Sequence, residues 1–426
     1  MTPFPLAVSW FRTLLVLCFT SALALSQSLT PADPASVGMS AERLTRIDDV
    51  MAAYVADAQL PGAVTLVARH GKIVHLSAHG YRDIENKSPL QTDSIFRIAS
   101  QTKATVSVGI MMLQEAGKLL IDDPLSDYLP EFAKTTVATD DGQGGYTIVP
   151  ANRKITLRDL LTHRSGYDYG TGLAKDQWAA AGIQGWYFAD RDEPIRETVR
   201  RMAALPAQSQ PGTKWVYGYN TDILGAVIEV VSGQDLASFL QARLFDPLGM
   251  VDTHFYLPPA KRDRLATVYS KNKDAGLTRS PTHGQGLYVD GPRQSFSGGA
   301  GLLSTAHDYA VFLQMLANQG VYDGHRLLSR KTVELMTVSH FPAGTPIGGR
   351  PDGTGFGLGF SIVLDIGTTG LPASVGQFGW GGAYHSKYWV DPVEGLVVAY
   401  FTQLRPAGRV DDHAKLAALV YQAIVD

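Results

Sequence analysis

The chain has 426 residues, 45% hydrophobic and 18% charged, with 37 Lys+Arg against 40 Asp+Glu and a formal net charge of −3. This composition excludes a disordered chain and a coiled coil, and its near-neutral balance leaves no electrostatic footprint for nucleic acid or an anionic membrane. A large buried core and a neutral small-molecule substrate fit these numbers, at a length that holds two or three domains or one domain with a big insertion.

At the N-terminus, Arg12 precedes the apolar run 13–25, which closes on Ala22-Leu23-Ala24. A basic residue, a short apolar core and a small-residue exit predict a secretory signal peptide over residues 1–26. The run falls short of the ~20 residues that span a bilayer, so the mature chain is expected to be secreted or periplasmic without stable membrane insertion. Cys18, the one cysteine, lies inside this segment. Its removal leaves neither a disulfide nor a thiol nucleophile.

Ser40 can cap a helix whose apolar positions Leu44, Ile47, Met51, Tyr54 and Val55 recur at helical spacing. Residues 63–68 and 72–77, broken by His70-Gly71, read as a β-hairpin. Helical periodicity follows at 106–113, 221–231 and 236–245, interrupted by Gly/Asp-rich loops such as 139–145. Three strand candidates, 357–364, 387–390 and 395–402, come next, and a closing helix spans about 412–424. Strands, then helices, then strands predict an α+β fold. Residues 27–103 and 291–426 form a discontinuous α/β subdomain and residues 104–290 a mainly helical insertion, with a cleft where they meet.

No G-x-S-x-G elbow, phosphate-binding loop, complete G-x-G-x-x-G or H-E-x-x-H occurs, and the 11 His are scattered without ligand spacing. No metal or organic cofactor is expected. Side-chain catalysis is what remains, and three segments carry its residue types. Ser100-Gln101-Thr102-Lys103 leads into an apolar helix, where side chains three apart share one face. An amine buried there loses part of its preference for the charged form and can serve the hydroxyl as a base. A second match, Ser270-Lys271-Asn272-Lys273, sits in a polar stretch that would leave its amine solvated. Trp215-Val216-Tyr217-Gly218-Tyr219-Asn220 offers a phenol able to relay a proton beside a lysine. Gly379-Trp380-Gly381-Gly382-Ala383 offers backbone N–H groups that can hold an oxyanion.

In this order and at these separations, Ser100-x-x-Lys103, the Tyr217-x-Tyr219 segment and Trp380-Gly381-Gly382 resemble the three motifs of the serine β-lactamase and penicillin-binding-protein superfamily. The esterase branch similar to class C, the family VIII carboxylesterases, is the nearest match. The stretches 96–103, 160–166, 244–250 and 298–305 are similar too, so the resemblance covers nearly all of the chain after the signal peptide. It implies an antiparallel sheet flanked by helices, of the β-lactamase/transpeptidase kind. It also implies Ser100 as nucleophile, Lys103 as its base partner, Tyr217 as proton relay, and the N–H groups of Ser100 and Ala383 as oxyanion hole, with Trp380, Gly381 and Gly382 lining the substrate.

Two departures stand out. The family's second motif is Tyr-x-Asn, whereas Tyr219 stands two after Tyr217 and Asn220 one later, which keeps Tyr219 open as a substrate-binding residue or as the catalytic phenol. The family's third motif carries a lysine, and Trp380 replaces it, which favours neutral esters, although His385, Lys387 or a nearby arginine can restore positive potential. The expected activity is hydrolysis of short-acyl esters through a Ser100 acyl-enzyme, with possible turnover of β-lactams such as cephalosporins. The alternatives are a β-lactamase or D-amino-acid peptidase, an acyltransferase, and a non-catalytic penicillin-recognising scaffold.

Overall fold

A computed structural model describes residues 28–426 except 273–275, 283–284 and 343. The expected signal peptide with Cys18, and Lys273 of the second Ser-x-x-Lys match, lie outside the described residues.

Nine strands form one sheet: β1 (Thr30–Pro31), β2 (Gly62–Arg69), β3 (Lys72–Asp83), β4 (Ser88–Pro89), β5 (Thr354–Phe356), β6 (Ser361–Val363), β7 (Phe378–Gly381), β8 (Lys387–Asp391) and β9 (Leu396–Phe401). The order is β1-β3-β2-β9-β8-β7-β6-β5, with β4 on β3. All pairs are antiparallel except β1 with β3. The fold is therefore α+β, with its sheet drawn from the two ends of the chain.

Alternation decides what each face buries. Val64, Leu66 and Ala68 of β2 and Val397, Ala399 and Phe401 of β9 join the larger core, while Ala63, Val67, Leu396, Val398 and Tyr400 face the other way. That second face is covered by α1 (Ala41–Ala56) and by α5 (Asp412–Tyr421). Ser40 caps α1 by accepting the Arg43 N–H at 3.2 Å, and Leu44, Ile47, Met51 and Tyr54 are the buried stripe. On the first face lie α2 (Thr102–Glu115), α3 (Asn220–Ser232) and α4 (Ala306–Ala317). Every residue of α2 from Thr102 to Leu113 is buried, the apolar run 108–113 together with the polar Thr102, Lys103, Thr105 and Ser107. Gly109 lets α3 approach, because a Cβ there would stand 3.0 Å from Ile228 Cδ1.

The structure corrects two expectations. Residues 357–364 are not one strand: the chain reverses at 357–360 between β5 and β6, where Gly359 has φ +95 and faces Ser107 of α2. The stretch 139–145 is a loop only over 141–145: Thr139 and Asp140 end a strand of a hairpin between Thr136–Asp140 and Tyr146–Pro150, whose turn is tied by Asp141 Oδ1 accepting the N–H of Gln143 (2.8 Å) and Gly145 (2.9 Å).

Candidate active site

Ser100 sits in a 3-10 turn, Ala99–Gln101, immediately before α2. Ala99 has φ 44, a left-handed conformation that costs an alanine energy and is held only where the surroundings enforce it. One helical turn on, Lys103 is 2% exposed. Its Nζ donates to Ser100 Oγ (3.2 Å), to the Tyr169 hydroxyl (3.1 Å) and to the Gly299 carbonyl (2.7 Å).

Gly299 is fixed in turn by Asp222, a buried carboxylate at the start of α3 that accepts the Ser297 hydroxyl (2.6 Å) and the Gly299 N–H (3.0 Å). Burial pushes the Asp222 pKa up, and the hydrogen bond from Ser297 and the charge of Lys103 act against that rise.

Tyr217 stands beside the amine, with Lys103 Nζ 4.6 Å from its ring centroid. The Trp380 Nε1–H donates to the Tyr217 hydroxyl at 3.1 Å. Tyr217 is further boxed by Trp215, stacked at 5.4 Å, and by the His163 ring at 4.8 Å. His163 is fully enclosed; burial, then the charge of Lys103, lowers its pKa well below the usual imidazole value, so it serves as neutral packing.

Tyr219 goes elsewhere. Its ring stacks on Trp178 at 5.5 Å and its hydroxyl donates to the Gly185 carbonyl at 2.7 Å. The structure does not bring it into the cavity, and it braces the loop beside Tyr169. Asn220 is buried too, donating to the Val216 carbonyl (3.1 Å) and holding the segment that carries Tyr217.

A cavity of about 480 Å³ opens over Ser100 and is lined by Tyr217, Trp380, Gly381, Gly382 and Ala383 among others. Trp380 and Gly381 end β7, and a tight turn follows. The Gly382 N–H donates to the Ser386 carbonyl (2.9 Å) and the His385 N–H to the Gly382 carbonyl (3.1 Å), which leaves Ala383 exposed at the apex. A Cβ at Gly382 would stand 2.4 Å from the Ile98 carbonyl oxygen, so only glycine lets the turn lie against the segment that leads into Ser100.

Sequence reading missed Tyr169, His163 and Asp222. Tyr169 lies in a loop without periodicity, and the other two fall within or beside stretches whose apolar pattern drew attention to packing. The second Ser-x-x-Lys match is separate from all this: Ser270 lies in a strand, Tyr269–Asn272, and shares a hydrogen bond with the Ser280 hydroxyl at 2.7 Å.

The family model for Beta-lactamase matches residues 47–422. The chain belongs to the beta-lactamase family. Within that family it is similar to Esterase EstB of Burkholderia gladioli, at 32% identity over 390 residues, covering 87% of this chain and 93% of that protein. It is also similar to Lovastatin esterase of Penicillium rubens, at 33% identity over 304 residues, covering 69% of this chain and 72% of that protein. Among solved structures, EstCE1, "a hydrolase with promiscuous acyltransferase activity", superposes with a TM-score of 0.77 at 27% identity, covering 89% of this chain and 99% of that one. The sheet-and-helix scaffold of the beta-lactamase family thus carries Ser100, Tyr217 and Trp380 on the wall of one cavity, with Lys103 buried beside Ser100 and Tyr217.

Proposed function

We propose that this chain is a serine carboxylesterase of the family VIII kind, acting on short-acyl esters through an acyl-enzyme on Ser100. It is a serine ester hydrolase of the beta-lactamase family. The observation that carries the assignment of residues is the 3.2 Å approach of Lys103 Nζ to Ser100 Oγ in the cavity that Tyr217 also lines.

Ser100 Oγ attacks the ester carbonyl, and its proton passes to the Lys103–Tyr217 pair as the C–O bond forms. The carbonyl oxygen becomes an oxyanion held by the N–H groups of Ser100 and Ala383, an interaction worth about 10²–10³ in rate per donor. Collapse breaks the bond to the alcohol oxygen, which takes the proton back from Tyr217 and leaves. Water then repeats the sequence on the acyl-enzyme, losing a proton to the same pair and releasing the acid.

Trp380 supports the phenol in place of a cation. Its Nε1–H donates to the Tyr217 oxygen, which favours negative charge there without adding a positive one.

Labelling with a fluorophosphonate probe tests the assignment: Ser100 is expected to be modified and Ser100→Ala to remain unlabelled. Labelling that survives Ser100→Ala refutes it. Turnover of p-nitrophenyl butyrate far above that of a chromogenic cephalosporin is expected, with the cephalosporin a slow side substrate; the reverse order makes the chain a β-lactamase. The secreted or periplasmic location belongs to this proposal as well, supported by the basic residue, apolar run and small-residue exit of residues 1–26.

A further inference from the structure

The histidines have no ligand spacing along the chain, and the fold supplies one. His385 lies in the turn after β7, while Asp412 and His413 begin α5. One donor atom from each of these three residues lies within 4.8 Å of the other two. His385 Nε2 faces both Asp412 oxygens, at 2.8 and 3.1 Å. The His385 and His413 rings stack with centroids 4.1 Å apart and planes 16° from parallel. A tetrahedral ion with bonds of about 2.0–2.1 Å keeps its donors about 3.3 Å apart, so the three close on it through side-chain shifts of about 1–2 Å.

Access and surroundings fit an ion of one class. Both histidines line the Ser100 cavity, which gives an entry path, and the Asp412 side chain is fully buried. The Tyr400 hydroxyl donates to Asp412 Oδ2, orienting the carboxylate as the outer partners of metal ligands do. The charge of Lys387 acts on both Asp412 and His413. It opposes an ion held by charge alone, such as Mg2+ or Ca2+, and those ions take oxygen ligands in any case. Two imidazoles and one carboxylate suit Zn2+, with water in the fourth position.

We propose that His385, Asp412 and His413 form a site for a divalent transition metal of the zinc kind, and that filling it slows the hydrolase. The ion takes the place of the hydrogen between His385 Nε2 and Asp412. A neutral His385 keeps that proton on Nδ1, and an imidazolium releases one to water. His385 follows Ala383 by two residues, in a turn whose Gly382 N–H and carbonyl are both already bonded, so drawing His385 toward the ion moves the Ala383 N–H. The first half of the proposal stands without the esterase reading, and the second rests on it.

The test uses the untagged chain carrying Cys18→Ser, which removes the one thiol. After stripping with EDTA it is titrated with Zn2+ by calorimetry and with Co2+ by visible absorption. One ion per chain is expected, with the intense Co2+ bands of a four-coordinate centre, and Mg2+ should give no heat. His413→Ala and His385→Asn are each expected to weaken binding by about tenfold or more. Zn2+ should lower kcat for p-nitrophenyl butyrate by about tenfold, in step with occupancy and reversed by EDTA, and should leave His413→Ala uninhibited at the same concentration. No binding, or binding that both variants keep, overturns the site. Should the variants not fold, anomalous scattering from wild-type crystals grown with Zn2+ decides: a peak among the three side chains is expected, and peaks on surface histidines alone overturn the site. A filled site with unchanged kcat overturns the regulatory half. Absence of hydrolysis with Ser100 unlabelled removes the esterase reading, while the metal titration still decides the site.

Discussion

Lys103 holds Ser100, Tyr169 and Gly299 through one nitrogen, so its loss deprives the nucleophile of its partner and leaves two neighbouring oxygens unsatisfied. Lys103→Ala is expected to slow acylation by about 10²–10⁴, read as the burst rate with p-nitrophenyl butyrate; a loss under about tenfold contradicts its place in proton transfer. The two tyrosines two residues apart make a sharper contrast. Tyr217→Phe should reduce kcat by a similar factor. Tyr219→Phe should leave kcat within about tenfold and lower stability by about 1 kcal/mol, the worth of its hydrogen bond to Gly185. Equal losses of kcat would reverse the assignment. Ser100 and Lys103 were readable because a fixed spacing coincided with an apolar helix that buries the amine. The choice between Tyr217 and Tyr219 was not, since neighbours at that spacing in an irregular segment show no face until the chain packs. Trp380 was readable only as a missing positive charge. Its hydrogen bond to Tyr217 joins residues far apart in sequence and leaves no local mark.

The N-terminus of α5 clamps the turn that exposes Ala383. Asp412 accepts from His385 Nε2, and His413 Nε2 lies 3.0 Å from the His385 carbonyl, so two successive helix residues hold one residue of the turn. His385 itself has φ 69, a conformation that needs such support. Burial acts to raise the Asp412 pKa, yet the hydrogen bond and charge of His385 prevail and leave it below the usual carboxylate value. With the folded value the lower one, the carboxylate stabilises the fold above its unfolded pKa of about 3.9 and loses that contribution as pH falls through the folded value. Asp412→Asn should therefore be less stable than wild type at pH 7 by about 1–3 kcal/mol, seen as a lower Tm, with the gap closing in acid. A gap that widens in acid refutes the sign. Elements such as α1, α2 and the β2–β3 hairpin could be read from periodicity and capping. The β5–β6 hairpin could not, because its apolar residues run on through the reversal and only the close pass of Ser107 explains Gly359.

At the scale of the molecule, the proposed export signal makes a chemical prediction. Cleavage near Ala24 or Ser26 removes Cys18, the one cysteine, so thiol titration of the unfolded mature protein should find none, and one retained thiol would show that the segment stays attached. The division into end strands and a central helical stretch was legible from the order of periodicities. Positive potential from Lys387 or a nearby arginine was legible too; that Arg350 is the arginine was not, since only the loop over Trp380 brings it to the cavity. The sheet has a kinetic consequence. The central pairing of β2 with β9 sets Val64 beside Phe401, so the hydrogen-bond ladder stays open until more than 300 further residues have been synthesised after β2. Closing a loop of that size is slow compared with forming the local helices. The newborn chain therefore passes through a long interval in which the edges of β2 and β9 lie bare, and chaperone dependence should track the time before that seam shuts.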